Sequence, residues 1–225
     1  MNQNSNPINK ESSPELLEYE KAWTDYINNG TTPPKEVIPT EVFESWEASR
    51  RNGVNPFAGE IQPPLDGQEL EARRAANRKA ISVAEKYMQV IFGVIGDTNI
   101  TLDFVDKDGY IIVNVCSPGL DELTRMTWTG LGCNEGEEVS GTTAIALALK
   151  HMKPVQISGA QFFLQRLHEW TSAAAPVFDV DGTLLGVIAV SGYYETVHKH
   201  TLGIVIEAKS AIENEIHLQN IHDQL

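Results

Sequence analysis

The stretch Ile100-Thr101-Leu102-Asp103-Phe104-Val105, followed by Asp106-Lys107-Asp108-Gly109 and Tyr110-Ile111-Ile112-Val113-Asn114-Val115, switches the chain from a helical period to a period of two. Both flanks are rich in β-branched and aromatic residues, and Asp-Gly accepts the positive φ of a tight turn, so the segment reads as a β-hairpin. A second copy follows, in which Ser172 to Phe178 and Thr183 to Ser191 flank Asp179-Val180-Asp181-Gly182. Two strand pairs therefore bracket the middle of one domain. Between them, Ser140-Gly141-Thr142-Thr143 opens a helix through Lys150. Its Ala144, Ile145, Ala146, Leu147, Ala148 and Leu149 are apolar on nearly every side, which is the pattern of a buried helix. Pro154 to Ile157 reads as a further strand.

Upstream of the first hairpin, Leu70, Ala76, Ala80, Val83, Ala84, Tyr87, Met88 and Ile91 predict one long helix from Gln68 to about Val94. The chain before residue 65 carries Pro7, Pro14, Pro33, Pro34, Pro39, Pro56, Pro63 and Pro64, so short helices joined by stiff linkers are expected there. Ser12-Ser13-Pro14-Glu15 places a Ser cap before a first-turn Pro, and Leu16, Tyr19, Trp23, Tyr26 and Ile27 then share a face until Asn29-Gly30. Thr40 is positioned to cap a second helix, Glu41 to Arg51, which carries Val42, Phe43 and Trp46. Neither helix can bury its aromatics alone, so both must pack on the larger domain or on a second copy. At the other end, a helix from about Thr196 keeps 4-3 spacing at Ile204, Ala208, Ala211, Leu218 and Leu225, interrupted by Glu215 and His222.

The chain has 225 residues, 41% of them hydrophobic, enough for a sizeable core. Seventeen Lys and Arg against 31 Asp and Glu give a formal net charge of −14 with no basic block, which argues against direct nucleic-acid binding. The polar N-terminus lacks a basic start followed by an apolar stretch, and no run of about 18 apolar residues occurs. A soluble cytoplasmic protein without a membrane segment is expected. Cys116 and Cys133 are too few for a disulfide framework. Cys116, at a strand end, is expected to pack, and Cys133, in a Gly-rich loop, to be open to solvent.

Several strings invite sharper chemistry. Val177-Phe178-Asp179-Val180-Asp181-Gly182-Thr183-Leu184 matches the first motif of haloacid-dehalogenase phosphatases. That motif opens a Rossmannoid domain, and the residues after Gly182 are too few to build one, so Asp-Gly turn chemistry is the better account. Asp106 and Asp108 resemble a calcium loop, but Phe104 and Val115 would occupy its first and twelfth positions. His168-Glu169 lacks the second His of a zinc helix, and His198-Lys199-His200 has no third ligand close by in sequence. No G-x-x-x-x-G-K-[ST] loop exists, so the chain is not itself a P-loop ATPase, and no cofactor or metal is expected.

The order of elements resembles a GAF domain, a PAS-related α+β fold with a central antiparallel sheet flanked by helices. More specifically, Ser45 to Pro56, Gly141-Thr142-Thr143-Ala144-Ile145-Ala146, Pro154 to Phe163 and Trp170 to Val177 are similar to the N-terminal sensory region of the acetoin catabolism regulator type of sigma-54-dependent transcriptional activators. The resemblance runs from about Phe43 to Ser191. It departs at Ala48 (often Arg in that family), Glu135 (often Trp), Thr143 (often Asn), Gln161-Phe162 (often Glu-His) and Ser172 (often Cys). It therefore implies a sensor without identifying its effector. The implied organisation is a disordered tail at 1–13, a helical extension at 14–67, the sensory domain at 68–195 and a signalling or dimerisation helix at 196–225.

An effector would bind between the sheet and the loops carrying Met126 to Cys133, Gly141 to Thr143 and Phe162 to Ser172. Trp128, Phe162, Phe163 and Trp170 are the candidate walls, and Thr142, Thr143, His168 and Ser172 the candidate hydrogen-bonding groups. A strongly anionic ligand would find only Arg125 and Arg166 in those loops, so a neutral, cationic or aromatic effector is favoured. The implied partners are this effector, a second copy in a homodimer, and a downstream AAA+ domain acting on sigma-54 RNA polymerase, absent from this chain. Two other readings stand beside it: a ligand-free dimerisation module, and a GAF-fold thiol reductase, which would need a nucleophilic cysteine.

Overall fold

A computed structural model describes residues 13–120, 122, 124, 127–194 and 200–223. Both hairpins form. Ile100–Val105 (β1) and Ile111–Cys116 (β2) pair antiparallel around a turn in which Gly109 takes φ +90°. The Asp106 carboxylate accepts hydrogen bonds from the backbone N–H groups of Asp108 and Tyr110, both at 3.0 Å, which closes that turn. After a short strand, Val155–Ser158 (β3), the second hairpin joins Trp170–Phe178 (β4) to Leu184–Tyr193 (β5), with Gly182 at φ +83°. The Asp179 and Asp181 carboxylates accept from Val180 N and Thr183 N at 2.7 and 2.9 Å, so the phosphatase-like string serves a turn. The five strands form one antiparallel sheet in the order β2-β1-β5-β4-β3.

The helices of two turns or more are Pro14–Asn29 (α1), Thr40–Arg51 (α2), Gly67–Ala76 (α3), Arg78–Ile95 (α4), Ala144–His151 (α5) and Thr201–Asp223 (α6), with a single turn at Glu137–Ser140 before α5. The long helix expected from Gln68 is broken at Asn77, where the side-chain amide donates to Arg73 O at 2.9 Å. An Asn that bonds its own backbone competes with helix continuation. Tertiary pairing fixes the break: Arg73 reaches Asp106 at 2.6 Å and Asp108 at 3.0 Å on the first turn, while Arg74 donates to Ile112 O. The other two starts also differ in detail. Ser13 makes no capping bond and contacts Tyr194 Oη instead, at 3.2 Å, and Thr40 is the first residue of α2, with Pro39 in the cap position.

Each face of the sheet carries its own core. Behind it, Leu102, Phe104, Ile112, Ala173, Ala175, Val177, Ile188 and Val190 meet Val83, Ala84 and Met88 of α4 and Val205, Ala208, Ile212 and Ile216 of α6. This is the sheet-facing stripe of α6. Of the spacing read from sequence, Ala208 is buried in it, Ile204 and Ala211 are half-buried, Leu218 is exposed, and Leu225 lies outside the described residues. So do residues 195–199, where that helix was expected to begin.

In front of the sheet sit α5, the loops and the N-terminal extension. Trp23, Tyr26, Ile38, Val42 and Trp46 belong to the same buried cluster as Val105, Ile145, Phe163 and Leu164. The extension therefore packs on this domain. Burying each of these side chains contributes about 1.5–3 kcal/mol of transfer free energy, far beyond what short isolated helices supply.

Candidate functional site

Alternation along the strands sends a polar set to the front. Thr101 stands opposite Ser191, and Ser191 opposite Ser172, so three hydroxyls cross β1, β5 and β4 in one row. Ser191 Oγ donates to Ser172 Oγ at 2.8 Å. In the next row Asp103 faces Asn114, whose amide donates to Asp103 Oδ1 at 2.5 Å and to Thr101 Oγ1 at 2.8 Å. The same row continues through Ala189 and Ala174, whose small side chains leave room above the sheet. On an ordinary half-exposed sheet such residues meet water. Here Thr101, Asp103 and Ser172 are at most 4% exposed, because a roof covers them.

Thr129 and Glu135 from the loop after β2, Thr143 and Ile145 from the start of α5, and Phe162 and Leu167 from the segment after β3 build that roof. Together with Thr101, Asp103, Ile111, Trp170, Ser172 and Ser191 they line a cavity of ≈ 30 Å³, room for about two waters. The roof is clamped from outside by the N-terminal extension. Trp46 Nε1 donates to Gln161 O at 2.8 Å and Trp23 Nε1 to Phe163 O at 3.0 Å, on either side of Phe162.

Two buried carboxylates dominate the electrostatics. Burial pushes the Asp103 carboxyl up to about 7, against the opposing hydrogen bonds from Asn114 and Thr101. Burial also pushes Glu135 up to about 8; the Asp103 charge adds to the rise and Arg166 opposes it. Among the described residues, Glu135 Oε1 has no hydrogen-bond partner, and neither do Nε and Nη2 of Arg166, whose Nη1 donates to Gly59 O at 3.0 Å.

Of the residues singled out from sequence, Thr143, Phe162, Trp170 and Ser172 line the cavity together. The Thr143 hydroxyl is already committed: it accepts from Ala146 N at 2.9 Å as the cap of α5 and donates to Glu135 O at 3.0 Å. The other four lie elsewhere. Thr142 Oγ1 donates to Ser45 Oγ of α2 at 2.8 Å, and Phe163 packs on Gly141, where a Cβ would meet its side chain at 3.0 Å. His168 Nδ1 contacts Glu20 of α1 at 3.0 Å, with its ring edge-on to Trp23. Trp128 is half-buried, packed against the front cluster with φ +56°. Arg125 and Met126 fall outside the described residues. Sequence reasoning missed Thr101, Asp103 and Ser191, although an Asp in mid-strand is unusual enough to mark β1. It noticed Glu135 only as a departure from the resembling family.

Cys133 is buried, not exposed as its loop suggested: its carbonyl accepts from Ile111 N of β2 at 2.9 Å and its own N–H closes a turn onto Gly130 O at 3.0 Å, which ties the loop to the sheet. Burial pushes its thiol up to about 11, so it is protonated at neutral pH and a poor nucleophile.

A five-stranded antiparallel sheet with helices behind and a roofed polar chamber in front defines an α+β domain built around an enclosed site. The chain belongs to the GAF domain family, whose profile matches residues 77–213. It is 27% identical over 197 residues to the acetoin dehydrogenase operon transcriptional activator AcoR of Bacillus subtilis, a match covering 87% of this chain and 32% of that protein. It is 26% identical over 163 residues to a signal-transduction and transcriptional-control protein of Clostridium beijerinckii, covering 72% of this chain and 26% of the relative. The chain thus spans about a third or less of these relatives. Among solved structures, the DhaR(N)–DhaL complex of E. coli shares the fold with a TM-score of 0.76 at 20% identity, over 82% of this chain and 63% of that one. The chain is a GAF domain of the kind found in bacterial transcriptional regulators. Among the described residues no helix is long and apolar enough to cross a membrane.

Proposed function

We propose that this GAF domain is the sensory part of a bacterial transcriptional activator, binding a small effector in the chamber above the sheet. The observation that carries the reading is the burial of Thr101, Asp103 and Ser172, with half-buried Ser191 beside them, on a sheet face roofed by loops. Burying polar groups is costly unless something hydrogen-bonds them, and a few convergent polar groups in a closed cavity are the usual makings of a small-molecule site. The buried, protonated Cys133 argues against the thiol-reductase alternative and for a regulatory, non-catalytic role.

The route from cavity to output runs through one strand. Trp170 and Ser172 of β4 line the cavity, while Ala173, Ala175 and Val177 of the same strand pack on α6 behind it. Glu213 of α6 accepts from Phe178 N at 2.8 Å, and Asn220 donates to Asp179 at 2.8 Å, tying α6 to the end of β4 and its turn. An effector that fits two positions of β4 unequally would shift α6 accordingly. By the family resemblance read from the sequence, α6 would pass that shift to an AAA+ domain acting on sigma-54 RNA polymerase in the bacterial cytoplasm, without DNA contact by this domain. Exposed Leu218 and Ile221 near the end of α6 favour a homodimer, and they also support the second reading of an interaction module that needs no ligand.

Native mass spectrometry of freshly purified protein, with a thermal-shift screen of small metabolites, tests the sensor reading. The expected result is a bound molecule or a saturable rise in Tm, lost in Ser172→Leu, whose side chain fills the cavity. A chain stabilised by nothing but its own concentration would favour the interaction module instead.

A further inference from the structure

Among the described residues, those lining the cavity include two carboxylates and no Lys or Arg. Glu135 is 5% exposed and lines the cavity with Oε1 unpartnered. Among the described residues, Asp103 Oδ2 accepts one bond, at 3.3 Å from Thr101 Oγ1. The charged and titratable groups that bear on Glu135 are Asp103 on β1, Arg166 in the roof and Cys133 two residues before it. Arg166 is not among the lining residues, and no ion pair joins it to Glu135 among the described residues.

Ionised carboxylates only accept hydrogen bonds. An apolar effector would leave Glu135 Oε1 without a partner, and an anion would hold the pair protonated rather than compensate the charge it gains on ionising. An ammonium group carries three donors and a compensating charge. Resting on the sensor reading of this same cavity, we infer that the effector is a small primary amine, bound as its ammonium between Glu135 and Asp103 with the Thr101–Ser191–Ser172 hydroxyl row beside it. The cavity of ≈ 30 Å³ limits the group enclosed to the ammonium and the carbon next to it. A longer amine would extend past Phe162 and Leu167, which lie at the roof.

The pair's protonation gives the inference a signature. With burial raising Asp103 to about 7 and Glu135 to about 8, the empty pair retains a proton at neutral pH. The arriving ammonium takes that proton's place, and the proton leaves to solvent. Cys133 stays a neutral thiol throughout.

Isothermal titration of the purified chain with methylamine and ethanolamine, using ethylene glycol as the neutral counterpart, reads this out. Ethanolamine is expected to saturate the protein where ethylene glycol does not. Its Kd should fall roughly tenfold per pH unit between about pH 6 and 8, with proton release seen on changing to a buffer of different ionisation enthalpy. Glu135→Gln keeps the shape and should weaken binding at least roughly tenfold while flattening the pH dependence. Asp103→Asn, a second isosteric change, should do the same in part. Equal binding of ethylene glycol, an unchanged amine affinity in E135Q, stabilisation by Mg²⁺ or Ca²⁺ in place of amines, or no saturation by any amine would each overturn the assignment. If a neutral metabolite still stabilises the wild type but not the Ser172→Leu variant, the sensor reading survives that failure. If nothing binds at all, both fall.

Discussion

Asp103 and Glu135 are buried carboxyls whose protonation bears on how this domain responds to pH. Both carboxyls sit above their ordinary values of 3.8 and 4.5 because they are buried. The folded state therefore keeps protons that the unfolded chain has already released, and stability falls as pH rises. The contribution is fully present below about pH 4 and is lost as pH climbs through about 7 and about 8. Thermal unfolding across pH should show wild type losing Tm over this window. Glu135→Gln should match wild type at low pH and exceed its stability above pH 8 by about 2 kcal/mol, since the buried charge is gone. A Tm that rises between pH 5 and 8, or an E135Q variant that is less stable at high pH, would contradict the placement of this side chain.

At the scale of elements, the roof depends on helices that lie outside the matched family region. Trp46 of α2 and Trp23 of α1 donate to the carbonyls flanking Phe162, and Thr142 bonds back to Ser45 of α2. Trp46→Phe keeps an aromatic side chain but removes the indole N–H and part of a fully buried ring, so a loss of at least about 1–3 kcal/mol is expected in denaturant unfolding. Hydrogen exchange in the segment after β3 should quicken with it, and an unaltered exchange pattern would show that the clamp is dispensable. Both hairpins and the buried α5 were legible in the sequence because each rests on local chemistry, Asp-Gly turns and an unbroken apolar run, whereas the 4-3 spacing read for the last helix shares only Ala208 with the stripe that faces the sheet. The break at Asn77 was not legible, since Arg73 and Arg74 choose it by reaching a hairpin remote in sequence. The site was half legible for the same reason. Phe162 and Trp170 declared themselves as walls, whereas Thr101, Asp103 and Ser191 look like solvent-facing strand residues until the roof is in place. Conversely, Thr142 and His168 looked like ligand groups, but α2 and α1 engage them.

For the molecule as a whole, the sheet separates two cores that share its strands. The front core holds the cavity and the N-terminal extension, and the back core holds α4 and α6. Since β4 contributes side chains to both, an effector in front would, on the proposed sensor reading, act on the helix behind through that strand. Neither a disulfide nor a cofactor is needed for such coupling; unequal fit of the effector to two packings suffices. The net charge of −14 adds a bias, because the chain attracts cations toward a cavity that already presents two acids.

Hydrogen–deuterium exchange of the chain with and without a molecule that raises its Tm tests this account most directly. Slower exchange is predicted both in the roof from Gly159 to His168 and in α6, with β4 between them. Protection confined to α6 or the N-terminal helices, with the roof unchanged, would place the ligand somewhere other than the cavity and contradict the central claim.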